Sequence, residues 1–110
     1  MSNPAQETQR GAISPKGQEA EARIRQISGQ MTLENIHDGS DRSLEYSRLA
    51  VQVLDEYLAA MDFLLASPLM RVEDREKMEK LRGNFAVGRI KAQRAVDINQ
   101  EKSSQRPSQE

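Results

Sequence analysis

The chain has 110 residues, no cysteine and a formal net charge of −1 from 16 basic and 17 acidic side chains. This composition excludes disulfides and thiolate metal sites and gives no global reason to expect nucleic-acid or membrane binding. Only 36% of residues are hydrophobic, and no apolar run approaches the roughly 18 residues of a membrane span. We therefore expect one small domain in the cytoplasm or nucleus.

Apolar residues are concentrated in the middle of the chain, between Ile13 and Ile98. Residues 1–12 and 101–110 are mostly polar, and such segments bury too little apolar surface to fold. We predict a helical domain over residues 13–100 between a disordered N-terminal tail and a disordered C-terminal tail.

The first predicted helix begins at Ser14-Pro15. Serine accepts hydrogen bonds from the free N–H groups of a first turn, and proline fits the first helical position. The helix is expected to reach about residue 31, with an inward side spaced by four, three and four residues: Ala20, Ile24, Ile27 and Met31.

The predicted connection covers residues 32–40. Asp38-Gly39 is a turn signal, and we expect Leu33 and Ile36 to pack beneath the connection.

The second predicted helix, from about residue 41 to residue 66, contains neither Gly nor Pro. Ser40 or Asp41 is expected to cap it, and Ser67-Pro68 to end it, because the residue before proline avoids the α region. Its apolar seam, interrupted by Ser47, is Leu44, Val51, Leu54, Leu58, Met61 and Leu65. A second apolar face, too broad for a single neighbouring helix, consists of Leu49, Ala50, Val53, Tyr57 and Leu64.

The third predicted helix begins between Leu69 and Glu73 and runs to about Asn99. Its seam has large side chains first and small ones later: Met78, Leu81, Phe85, Gly88, Ala92 and Ala95. We interpret Gly88 as a site of close helix packing. The apolar residues at the helix start, Leu69, Met70 and Val72, are expected to close the end of the core.

The predicted fold is all-α, a small antiparallel three-helix bundle with disordered termini. The short connection through Ser67-Pro68 makes the second and third helices antiparallel neighbours, and the first helix covers the rest of the second. The alternative is a helical hairpin that dimerises into a four-helix bundle.

The sequence predicts no catalytic, cofactor or metal site. His37 stands beside Ser40 without a nucleophile motif, and the oxygen-rich run from Asp38 to Asp41 lacks the ligand pattern of a calcium loop. Adjacent carboxylates on a helix point about 100° apart, and the run from Gly83 to Gly88 lacks the residues of a phosphate-binding loop. We therefore expect the protein not to be an enzyme.

The charge pattern and the outer face of the third helix suggest a binding surface. Residues 80–94 hold five bases and no acid, whereas residues 41–66 hold five acids and two bases. Apolar side chains also lie away from the seam, with Val87 and Ile98 expected opposite to it and Ile90 to the side. We predict a non-catalytic protein-protein interaction module, an adaptor or an assembly subunit, that binds a helical or acidic segment through Val87, Ile90, Lys91, Arg94 and Ile98. The first alternative is a nucleic-acid-binding protein that uses the basic helix, and the least favoured is an enzyme. The sequence is also compatible with a homodimer.

Overall fold

The computed structural model of the protein describes residues 13–105 and contains three α-helices, with no β-strand in that range. They are α1 (Pro15–Ser28), α2 (Asp41–Leu65) and α3 (Val72–Gln105). The all-α three-helix bundle is therefore confirmed. The predicted N-terminal tail lies outside the described residues. The third helix was predicted to end near Asn99, which is wrong, because α3 continues to Gln105. The division into a domain over residues 13–100 and two tails stays a prediction, and residues 106–110 are also outside the described range.

α2 is the central helix. It packs against both other helices, whereas α1 and α3 have little direct contact with each other. At about 1.5 Å per residue, the 14 residues of α1 extend about 21 Å and the 25 residues of α2 about 37 Å. α1 is therefore too short to cover the whole length of α2, and its hydrogen bonds with α2 extend from Glu45 to Tyr57.

The start of α1 is fixed by its cap and by a carboxylate from α2. Ser14 caps the helix by accepting from the Gly17 N–H at 3.0 Å, as predicted. The Ser14 N–H and hydroxyl both donate to Glu56, at 2.6 and 2.8 Å. A carboxylate at a helix N-terminus also interacts favourably with the positive end of the helix dipole. The predicted end near Met31 is three residues too late, because α1 ends at Ser28.

Tyr57 joins all three helices. Its hydroxyl donates to Glu21 of α1 at 2.8 Å, and its ring meets the Phe85 ring of α3 edge-on at 5.7 Å between centroids. Hydrogen bonding to Glu21 and burial raise the pKa of the Tyr57 hydroxyl. The second face predicted on α2 is thus used, and Val53 on that face is buried.

The seam predicted on α2 is only partly correct. Met61 is buried, but Leu58 and the other apolar members of the seam are partly exposed. Ser47, predicted as an interruption, is buried, and its hydroxyl donates to the Ser43 carbonyl at 3.0 Å. A serine can occupy the interior of a helix bundle when its hydroxyl bonds to the carbonyl four residues earlier.

A buried asparagine holds the connection between α1 and α2 against α3. Asn99 is fully buried; its side-chain oxygen accepts from the Gly39 N–H at 2.9 Å, and its amide donates to the Ile36 carbonyl at 3.1 Å. Gly39 has a φ of 78°, and a Cβ there would lie 2.5 Å from that of Lys102. Both the backbone conformation and the close approach of α3 therefore require glycine at this turn.

The expected packing beneath the connection is only half correct. Leu33 is 98% exposed, whereas Ile36 is partly buried. Ser40 caps α2 by accepting from the Ser43 N–H at 3.1 Å, which confirms one of the two expected caps. Asp38 accepts from the Ser40 N–H at 2.8 Å, so the oxygen-rich run is engaged in helix capping.

The end of the α2–α3 hairpin is less covered than predicted. Arg75 donates to the carbonyls of Leu65 and Ser67 at the end of α2. A cation at this position also interacts favourably with the negative end of the helix dipole. Leu69 and Val72 are 90% and 68% exposed. The expectation that they close the core is therefore wrong for these two residues, since α1 does not reach this end of the hairpin, whereas Met70 is partly buried.

Candidate partner-binding surface

The five residues predicted to bind a partner, Val87, Ile90, Lys91, Arg94 and Ile98, all lie on α3, and we call them the outer face of α3. Four are exposed: the two basic residues, Ile90 at 67% and Val87 at 52%. Ile98 is partly buried, so the expectation that it points opposite to the seam is wrong and Ile90 is the more outward residue. Whether this surface binds a partner stays a prediction.

The five basic residues between residues 80 and 94 of α3 divide into two groups. Arg82 binds Asp62 of α2 with an N–O distance of 2.5 Å, and Arg89 binds Asp55 of α2 at 2.8 Å. Hydrogen bonding to Arg82 lowers the pKa of the Asp62 carboxyl. Hydrogen bonding to Asp55 raises the pKa of the Arg89 guanidinium. These two arginines are therefore engaged within the hairpin, where they pair with acids of the acid-rich α2.

The other three basic residues between residues 80 and 94 have no carboxylate partner among the described residues. Within residues 13–105, no carboxylate lies at ion-pair distance from Lys80, Lys91 or Arg94. Lys91 has no acid within four residues along α3, and Asp97, three residues after Arg94, forms no ion pair with it. The outer face thus combines exposed apolar side chains with positive charge that remains unneutralised.

A cleft adjoins the outer face where α2, α3 and the connection meet. It has a volume of about 220 Å³, and its walls include Ile36, Tyr46, Ala50, Lys91, Ala92 and Ala95. Lys91 belongs to both features. Sequence reasoning did not assign the non-lysine residues to a site, because only the packing of the two helices and the turn brings them together. In the sequence, the small side chains Ala92 and Ala95 on the predicted seam of α3 were the one indication that a cleft could form here.

The other candidates from the sequence do not assemble into a site. His37 is exposed at the cleft, and the part of the chain that the structure describes contains no group of three or more His, Cys, Asp or Glu side chains placed to hold a metal ion. A Cβ added at Gly88 would meet only Leu54 at an ordinary 3.8 Å, so close helix packing does not require glycine there. A second cleft, at the hairpin end, is lined by Leu64, Ser67, Leu69, Met70, Arg71 and Asp74.

Comparisons with protein-family models, curated proteins and solved structures found no match to this chain. None of the helices within residues 13–105 is both long and apolar enough to cross a membrane.

Proposed function

We propose that this protein is a non-catalytic helical interaction module, an adaptor or a subunit of a larger assembly, that binds an acidic amphipathic helix of a partner protein on the outer face of α3. The observation that carries the proposal is the combination of exposed Val87 and Ile90 with the unneutralised Lys91 and Arg94. The absence of cysteine from the sequence supports action inside the cell, in the cytoplasm or nucleus.

The apolar part of the surface supports a protein partner. Val87 and Ile90 are three residues apart and Arg94 follows four residues later, so they lie on neighbouring rows of one helix side. Docking a second helix there would remove both apolar side chains from water, at roughly 25 cal/mol for each Å² buried. Apolar side chains inside a polar rim are the usual composition of a protein interface.

The charged part of the surface supports an acidic partner. Lys91 and Arg94 stand beside the apolar residues without carboxylate partners among the described residues, so acidic side chains could approach without first breaking an ion pair. Complementary charge at an interface rim mainly accelerates association and excludes partners of the wrong sign. Binding should therefore weaken moderately with salt, while its apolar component persists.

The proposal can be tested with a displayed library of 20-residue amphipathic helical peptides, in which the apolar positions and the flanking charges are both varied. Selection on the wild-type protein should enrich peptides with acidic residues beside the apolar stripe. Val87→Asp combined with Ile90→Asp should abolish binding without changing the melting temperature. The matched control, Leu69→Asp with Val72→Asp, places the same changes at exposed apolar positions of the hairpin end and should bind normally.

Three kinds of result would overturn the proposal. Failure to enrich any peptide, or loss of binding in the control alone, would remove the outer face as the surface. Unfolding of the Val87 and Ile90 variant, or loss of an oligomer in light scattering, would mean that this face is buried in the protein's own assembly. Oligonucleotide binding at about 50 mM salt that is mostly lost at about 200 mM, and weakened further by Arg94→Glu, would identify a nucleic-acid-binding protein.

A further inference from the structure

We infer that the cleft beside Lys91 is an anchor site, which accepts one large apolar side chain of the acidic partner helix while a carboxylate one turn away on that helix pairs with Lys91. This inference rests on the proposed function and deepens it. One apolar side chain of the partner enters the cleft, and the partner helix therefore lies across α3 beside Lys91.

The size and lining of the cleft fit one side chain. Its volume of about 220 Å³ is below the roughly 300 to 1,000 Å³ typical of small-molecule and cofactor sites. Ala50 of α2 and Ala92 and Ala95 of α3 form its small-residue walls, with Ile36 and Tyr46 beside them. Such walls give an inserted Leu, Met or Phe apolar contacts on several sides, as in the central anchors of helix-binding grooves.

The wall formed by the connection is held in place before any partner binds. Asn99 donates to the Ile36 carbonyl at 3.1 Å, and the Ser43 hydroxyl donates to the Asn35 carbonyl at 2.6 Å. Asn99 and Ser43 are both fully buried, so the donor of each hydrogen bond is shielded from water. Binding a side chain in the cleft would not require the connection to become ordered, and this lowers the entropic cost of association.

The charge at the cleft edge identifies the partner's chemistry. Lys91 lines the cleft and is exposed, and the exposed Arg94 lies one turn further along α3. No described carboxylate pairs with either base. Side chains three or four residues apart on a helix lie on one side, so an Asp or Glu at that distance from the anchor would reach Lys91. We therefore assign the occupant as an apolar anchor with a neighbouring acid on one helix.

The experiment fills the cleft from within. Ala50 is partly buried in the wall, whereas Ala59 is exposed elsewhere on α2, so Ala50→Met and Ala59→Met make the same chemical change inside and outside the cleft. The probe is the acidic amphipathic peptide most enriched from the displayed library, with fluorescence anisotropy as the readout. Ala50→Met should weaken binding at least tenfold, and Ala59→Met should leave it unchanged. Replacing the peptide's anchor residue by Ala should weaken binding to wild type at least tenfold and change little further with Ala50→Met.

A measurement on the wild-type protein covers the case in which Ala50→Met disturbs the fold. In carbon-13 methyl spectra, the peptide should shift the Ala50 and Ala92 methyl signals and leave that of Ala59 in place. Unshifted Ala50 and Ala92 signals on a saturated complex would overturn the anchor site. If Ala50→Met binds like wild type while Val87→Asp with Ile90→Asp does not bind, the anchor site is wrong and the proposed function stands. If no peptide is enriched, the proposed function itself fails.

Discussion

Replacing Asn99 by alanine should destabilise the whole bundle, although the change removes only one polar side chain. The Asn99 side chain is 0% exposed and joins α3 to the connection through the Gly39 N–H at 2.9 Å and the Ile36 carbonyl at 3.1 Å. Longer contacts reach the Ser43 carbonyl at 3.4 Å and the Ser47 hydroxyl at 3.5 Å. Asn99→Ala would remove all four interactions and leave a cavity that water reaches poorly.

The two short hydrogen bonds decide the magnitude. A typical hydrogen bond contributes about 0.5 to 1.5 kcal/mol net, and a buried group that loses its partner costs about 1 to 3 kcal/mol. We therefore expect the free energy of unfolding to fall by roughly 2 to 4 kcal/mol, a large part of the about 5 to 15 kcal/mol typical of a domain. At about 4 to 8 °C per kcal/mol for a domain of this size, the melting temperature should fall by more than about 8 °C.

Urea unfolding followed by circular dichroism measures this change, and Asn84→Ala is the matched control because Asn84 is an exposed asparagine on the same helix. Hydrogen exchange at the Gly39 amide should accelerate in the Asn99 variant and remain unchanged in the control. If Asn99→Ala stays within about 0.5 kcal/mol of wild type, the range of ordinary surface substitutions, the inference that this asparagine holds the connection would be refuted.

Three further predictions concern the bundle itself. Leu58→Asp places an unpaired carboxylate in the partly buried seam of α2 and should abolish the cooperative melting transition in circular dichroism; wild-type helicity and melting temperature would contradict this. Tyr57→Phe removes the hydrogen bond to Glu21 of α1 and should lower the free energy of unfolding. The loss relative to wild type should be complete below the ordinary tyrosine pKa of about 10 and should vanish as pH rises through the raised pKa of Tyr57. A loss that does not depend on pH in urea titrations would count against this bond. Gly83→Ala, with open space around its Cβ, should stabilise the protein by about 0.5 to 1 kcal/mol. Gly17→Ala should lose this gain, because its Cβ would lie 2.8 Å from the Glu56 carboxylate and would force that carboxylate away from its hydrogen bonds with Ser14. Equal shifts in urea midpoint for the two variants would argue against the Glu56 contact.

Local sequence signals were sufficient for the helices and most of their ends. Ser14 with Pro15, Ser40 before α2 and Pro68 after it act through hydrogen bonds and steric limits within a few residues, so they could be recognised without knowing the fold. The three-four spacing of apolar residues also identified α2 and α3. The outer face of α3 could be proposed on that basis.

Tertiary structure decided how much of each seam is buried and where polar groups enter the core. Met61 is buried while Leu58, three residues earlier on the same predicted seam, is partly exposed, so periodicity alone did not show which seam residues are covered. Ser47 was predicted as an interruption of the α2 seam and Asn99 only as the end of the third helix. Both are buried, and partners one turn away or distant in the chain satisfy their side chains. The cleft beside Lys91 likewise depends on two helices and a turn meeting at one place. Helical periodicity assigns a side chain to a face, but only the neighbouring helices determine whether that face is covered.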